Sequence, residues 1–167
     1  IESIGSLDSR VILYSALEIL KYKIMDIKEN VNNETGFITI NRSRSIMRAF
    51  DFIIKNENHT IGNLIASELQ NYDSQIEYAS YKMPHPLENK IIIRVYLLDT
   101  VDLTHCLKCT HMTNMIIDSG GHRVSEQNIE NLKNKDKWVV IELFQLTIMY
   151  IMNILDQLKT EWISKTP

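Results

Sequence analysis

The sequence predicts an α+β fold: a small antiparallel sheet with two long packing helices plus one shorter helix. Two patterns carry this. Apolar residues step 4, 3, 4, 3, 4 in one segment near each end of the chain, and they alternate in two pairs of short segments between those ends. Length supplies the third observation. A chain of 167 residues, 44% hydrophobic and 23% charged, can bury roughly 70% of its unfolded surface around one core.

The elements follow in order. Ile1–Ile4 alternates and then meets Gly5-Ser6, so it reads as the end of a strand. A helix is expected from Asp8 to Asn30, capped by Asp8 or Ser6. Its seam is Leu13, Leu17, Leu20, Ile24, Ile27 and Val31, the stripe of a helix that packs on another helix. Lys23 falls outside that seam, on the side expected to face water. Asn30–Gly36 is polar and turn-rich, which suits a linker.

Phe37–Asn41 and Ala49–Lys55 read as two strands joined by the basic stretch Arg42–Arg48. Such a stretch suits a solvated hairpin, or an acidic groove on a partner. His59 to Asn71 reads as the shorter helix, with Thr60 as its cap and Ile61, Leu64, Ile65 and Leu69 as its buried stripe. Asn63 can reach back to the cap, as in a capping box. Gly62 costs about 1 kcal/mol against Ala in a helix, so it implies the close approach of another backbone, as at a subunit interface. Ile76–Met83 and Lys90–Leu98 are two more strands, separated by Pro84-His85-Pro86, which cannot continue a ladder. The last helix runs from about Trp138 to Lys165, with Phe144, Ile148, Ile151, Leu155, Leu158 and Trp162 as its seam.

Several functions are disfavoured. Eighteen Lys+Arg against 21 Asp+Glu give a net charge of -3, whereas nucleic-acid binders usually carry a basic excess. No run of apolar residues approaches the length of a membrane span. Two cysteines cannot build a disulfide framework, which makes a reducing compartment the default. The chain opens on Ile1, which points to a longer parent. No convergent carboxylate cluster and no phosphate-cradling Gly loop is visible.

One cluster has metal-like spacing. Cys106 and Cys109 stand as Cys-x2-Cys, and His111 or His122 could complete a tetrahedron. Only one Cys pair exists, however, and a helix over Leu103–Ile117 would put both thiols on one face as small core residues. No metal and no cofactor is the expectation.

Two linked motifs are specific. Phe52-Ile53-Ile54-Lys55-Asn56-Glu57-Asn58-His59-Thr60-Ile61-Gly62-Asn63-Leu64, followed by Tyr81-Lys82-Met83-Pro84-His85-Pro86-Leu87-Glu88-Asn89-Lys90, resembles the small alpha-like subunit of cellular RNA polymerases. In that family a strand precedes His-Thr-Leu/Ile-Gly-Asn at a helix start, and Gly-Tyr-Lys-x-Pro-His-Pro-Leu precedes the last strand. Ser80 stands here where the family has Gly. The family motif residues are thus His59, Thr60, Gly62, Asn63, Tyr81, Lys82, Pro84, His85 and Pro86.

A second resemblance lies at the front. Ile1–Leu7 and Ala16–Lys23 resemble the carboxyl end of the larger alpha-like subunit, its last strand and closing helix. The order is then 1–31 from the large half, a linker at 32–36, and the small dimerisation domain at 37–167 with an insertion at about 99–137. Such a fusion resembles the combined alpha-like subunit of large cytoplasmic DNA viruses, African swine fever virus among them.

The resemblance implies a non-catalytic assembly-platform subunit with an alpha-dimer-like helix and sheet interface. Its interface residues would be Leu13, Leu17, Leu20, Ile24, Ile61, Gly62, Leu64, Ile65, Phe144, Ile148, Ile151 and Leu155. Its partners would be the second-largest polymerase subunit, a small zinc-binding adaptor and the N-terminal part of its own parent chain. Direct nucleic-acid contact would be slight, no membrane would be involved, and catalysis would reside in other subunits. Localisation would be host cytoplasm and virion if viral, otherwise nucleus. A free-standing dimerisation module and a zinc-binding regulatory module are the alternatives that the residues leave open.

Overall fold

The computed structural model describes residues 3–31, 36–44, 46, 48–85, 87–98 and 126–165, with side chains in the last segment from residue 135. Helix α1 spans Ser9–Asn30. Asp8 caps it by accepting the backbone N–H of Arg10 at 2.9 Å, which satisfies one of the helix's orphan donors. Ser3 and Ile4 lie in no strand, and Ile4 is fully exposed. That corrects the expected strand end. A strand needs a neighbouring backbone, and the sheet's edges are formed by other segments.

Strands β1 (Ile38–Arg42), β2 (Ala49–Lys55), β3 (Ile76–Lys82) and β4 (Lys90–Leu97) form one sheet in the order β1-β2-β4-β3. All neighbours are antiparallel. Helix α2, His59–Tyr72, connects β2 to β3. The strand alternation places Ile38, Ile40, Phe50, Phe52, Ile54, Ile91, Ile93, Val95 and Leu97 on one buried face.

Helix α3 spans Glu126–Lys165, about 60 Å at 1.5 Å per residue. It starts a dozen residues before the expected Trp138, because the mostly polar run through Lys137 contains no Gly or Pro to break it and Asp136 has partners on β1 and the hairpin. The Asp136 carboxylate lies 3.2 Å from Arg48 and 3.7 Å from Arg42. So the basic stretch is partly closed inside the chain, although Arg44 stays exposed.

The three helices cover the buried sheet face. Phe144 of α3 stacks on Phe52 of β2, with ring centroids 4.3 Å apart and planes 9° from parallel. Thr147, fully buried, donates its hydroxyl to the Leu143 carbonyl, so the core carries no cost there for a lost hydrogen bond. By length and composition, residues 135–165 could cross a membrane, against the expectation from the sequence. Half of that apolar window is buried in the fold. It is a core helix.

Candidate assembly interface

The helical layer is built from two contacts. Helices α1 and α3 run antiparallel, as their polar pairs show: Trp162 Nε1 donates to the Arg10 carbonyl, Lys159 meets Glu18, and Lys21 lies 2.6 Å from Asp156. Between and beside these pairs Leu17, Leu20, Ile24 and Ile27 pack into the core with Ile148, Ile151 and Leu155. Lys159 also stands over the Tyr14 ring at 4.6 Å. Its hydrogen bond to Glu18, then that to Tyr14, raises its pKa above the ordinary lysine range. Helix α2 meets α3 as well, where Tyr72 lies against Tyr150 with ring centroids 5.3 Å apart.

The expected interface residues therefore form the chain's own core. Ile24, Ile61, Gly62, Ile65, Phe144, Ile148, Ile151 and Leu155 are buried, while Leu13, Leu17, Leu20 and Leu64 are half-buried. In the continuation of the α3 seam, Leu158 is 48% exposed. The apolar surface left open is a different set. On α3 it includes Leu146, Met149, Tyr150 and Leu158, and on α1 it includes Ile19, Tyr22 and Met25. Apart from Leu158, which the sequence places in the seam, periodicity passes over these residues because it reports the wettest and driest faces well and the flanks between them poorly.

The His-Thr-Ile-Gly-Asn motif opens α2, but its cap is Asn58. The Asn58 Oδ1 accepts the Thr60 N–H at 3.0 Å, so Thr60 is the second helical residue. Asn63 then lies too far along the helix to reach the cap, and it is exposed. Both expectations are corrected. Asn58 precedes the helical run just as Thr60 begins it, and Asn is the better cap.

Gly62 makes its close approach inside the domain. A Cβ there would stand 2.5 Å from Cδ2 of Tyr81 on β3. The neighbour is the other motif's tyrosine ring, not the backbone of another helix. The two motifs thus meet: His59 also lies edge-on to Tyr81, with centroids 5.9 Å apart. His85 Nδ1 accepts the N–H of Leu87 at 3.1 Å, and the His85 carbonyl accepts that of Glu88 at 3.1 Å. Lys82, Pro84 and His85 are exposed; Pro86 lies outside the described residues.

Two polar contacts escaped the sequence. Lys23 is not a solvated lysine: its ammonium lies 2.9 Å from Glu57, which is only 6% exposed. Helix α1 is thereby tied to the β2–α2 connection. On the open sheet face Asp51 receives two hydrogen bonds from Arg94, at 2.6 and 2.7 Å, and these push the Arg94 pKa up. Directly opposed strand positions could have revealed that pair, since Asp51 and Arg94 are register partners.

Cys106, Cys109, His111 and His122 lie outside the described residues. Among the described residues, no group of three or more His, Cys, Asp or Glu could hold a metal ion.

Comparison with known proteins identifies the architecture. Residues 49–115 match the RNA polymerase Rpb3/Rpb11 dimerisation domain. A DNA-directed RNA polymerase II subunit, rpb11, of Dictyostelium discoideum is 35% identical over 98 residues, covering 59% of this chain and 78% of that relative. Subunit Rpo11 of the DNA-directed RNA polymerase of Saccharolobus solfataricus is 50% identical over 42 residues, covering 25% of this chain and 45% of the relative. The strand, the capped helix bearing Gly62 and the tyrosine strand that closes on it all fall in the matched region. The chain belongs to the Rpb3/Rpb11 family of alpha-like RNA polymerase subunits.

Proposed function

We propose that this chain is a non-catalytic assembly-platform subunit of a multisubunit DNA-directed RNA polymerase. Its parent would be a fusion in which residues 1–31 close the large alpha-like half and residues 37–167 form the small one. One observation carries the reading: α1 packs antiparallel on α3 through a buried seam and flanking ion pairs, while apolar side chains of both helices stay exposed. A helix pair that is already closed on one side and apolar on the other is suited to receive further helices. At about 25 cal/mol per Å² of apolar surface, such burial is the driving force for assembly.

The remaining N-terminal part of the parent chain is the first proposed occupant of that surface. The composite so formed would dock the second-largest subunit and a small zinc-binding adaptor. The net charge of -3 argues for protein partners over direct nucleic-acid contact. Nucleotidyl transfer would belong to other subunits. Localisation would follow the enzyme, to the nucleus for a cellular polymerase or to host cytoplasm and virion for a viral one.

The test is affinity purification of the tagged intact parent chain from cells making the whole polymerase. Recovery of the second-largest subunit and the adaptor in equal ratio supports the proposal. A parent chain recovered only as a homodimer, without polymerase subunits, overturns it in favour of a free-standing dimerisation module.

A further inference from the structure

The helices cover one face of the sheet, and among the described residues the opposite face stays open. Strand register sets its side chains in rows. At one end Lys55 stands directly opposite Lys90. In the next row Ile53 faces Ile92, and Lys82 follows on β3. The Asp51–Arg94 pair comes after, and Tyr78 and Tyr96 meet at the far end. Lys55, Lys82, Lys90 and Arg94 thus share these rows with one carboxylate, in a chain whose net charge is -3.

The lysine end breaks a rule of sheets. Like charges directly opposite each other on neighbouring strands are destabilising, yet Lys55 and Lys90 are register partners. Lys82 adds a third ammonium on the diagonal from Lys90. Glu88 pairs with Lys90, and Asp51 is held by Arg94. Among the described residues Lys55 and Lys82 form no ion pair, and both are exposed. An arrangement that costs stability without a gain inside the fold marks a surface kept for something else.

We propose that this open sheet face docks an acidic segment of a partner protein. Lys55, Lys82 and Lys90 meet its carboxylates, and Ile53 and Ile92 meet its apolar side chains. Charge complementarity decides the partner: incoming carboxylates relieve the Lys55–Lys90 repulsion and fix the segment's position on the sheet. A nucleic-acid strand fits less well. Its phosphates would cross the Asp51 carboxylate, and the Tyr78 and Tyr96 rings stand edge to face at 64° instead of forming one stacking platform. The helical layer lies on the other side of the sheet, so this contact goes beyond the helical docking proposed above.

The experiment uses the tagged intact parent chain in cells making the whole polymerase. A photo-activated cross-linking residue replaces Thr39, which is exposed on this face opposite Ile53, and mass spectrometry identifies the peptide it captures. That peptide should belong to another protein and carry more Asp and Glu than Lys and Arg. Lys55→Glu with Lys82→Glu should cut the cross-link yield about tenfold. Changing the captured peptide's acidic residues to Lys should then restore it. Lys55→Glu alone should also lower the yield while holding or raising the melting temperature of the parent chain, because it turns an opposed like-charge pair into an opposite-charge one. If the double variant fails to fold, this single variant decides.

A cross-link to nucleic acid, a peptide without acidic excess, or no cross-link in complete complexes overturns the proposal. So does a full yield from folded Lys55→Glu, or a lowered melting temperature, which would remove the repulsion argued here. Recovery of polymerase subunits without a cross-link ends the sheet-face docking and leaves the assembly reading standing. An acidic, charge-swappable cross-link without polymerase subunits does the reverse.

Discussion

Gly62 and Tyr81 fit each other so closely that the missing Cβ of one is the space taken by the ring of the other, 2.5 Å away. Gly62→Ala therefore sets two effects in opposition. The helix gains about 1 kcal/mol in propensity, whereas overpacking a closed site costs typically 1–3 kcal/mol. The ring cannot simply swing away, because its Cδ2 and Cγ both lie near the new methyl. Denaturant unfolding should show a net loss of about 1 kcal/mol for Gly62→Ala. In a Tyr81→Ala background the same substitution should become stabilising, by up to about 1 kcal/mol. An unchanged sign in the two backgrounds would show that Tyr81 is not what demands the glycine.

Lys23 and Glu57 are joined at 2.9 Å, with Glu57 almost wholly buried and Lys23 39% exposed. Lys23→Asp would place a second carboxylate beside a buried one. Breaking a fully buried pair costs 3–5 kcal/mol, and the partial exposure of Lys23 reduces that to about 2–3 kcal/mol. Thermal unfolding should register the loss. Lys23→Met combined with Glu57→Met removes both charges and should recover most of the stability, since an apolar pair of similar volume can replace a buried ion pair. Equal losses in the single and double variants would mean that packing, not charge, is at stake.

The fold was legible because its signals are repetitive. Six apolar residues at helical spacing identify α1 and the second half of α3, and short apolar-rich segments bounded by turn residues identify β2 and β4. The limits of that reading are equally physical. The first turns of α3 are mostly polar, with Ile129 and Leu132 their only apolar residues, so no full stripe marks them; Arg42 and Arg48 reach Asp136 there only because the sheet brings them near. Lys23 lies on the polar side of α1 by periodicity, and its partner Glu57 belongs to a segment 34 residues away. Capping at Asn58 rather than Thr60 is a shift of two positions between two competent residues. Gly62 advertised a close approach, but its neighbour is fixed by how α2 lies on β3, which no local pattern encodes.

Leu155 and Met149 sit within two turns of each other on α3 and should answer differently to the same change. Leu155 is 5% exposed, so Leu155→Asp would bury an unpaired carboxylate at a cost of several kcal/mol. Met149 is 46% exposed, and surface substitutions usually stay within about 0.5 kcal/mol. Leu155→Asp should give insoluble or unfolded chain. Met149→Asp should give chain of wild-type melting temperature that fails to join the polymerase in the purification described above. A Met149→Asp chain that assembles normally would remove α3's open flank from the proposed docking surface.

His59 and His85 offer the sharpest distinction between scaffold and catalyst. His59 lies edge-on to Tyr81, and His85 accepts a hydrogen bond from Leu87. Both contacts are local and structural, and neither histidine has a described carboxylate or nucleophile bonded to it among the contacts of the fold. His59→Ala and His85→Ala should therefore lower transcription only as far as they lower the amount of assembled polymerase. The measurement is specific activity per mole of complex with complete subunit stoichiometry, for wild type and each variant. Loss of an acid–base residue typically costs 10²–10⁴-fold in rate. A fall of that size in fully assembled enzyme would make the histidine part of the chemistry and end the scaffold reading for it. Equal specific activities would leave both histidines where their contacts put them, holding the two family motifs in shape.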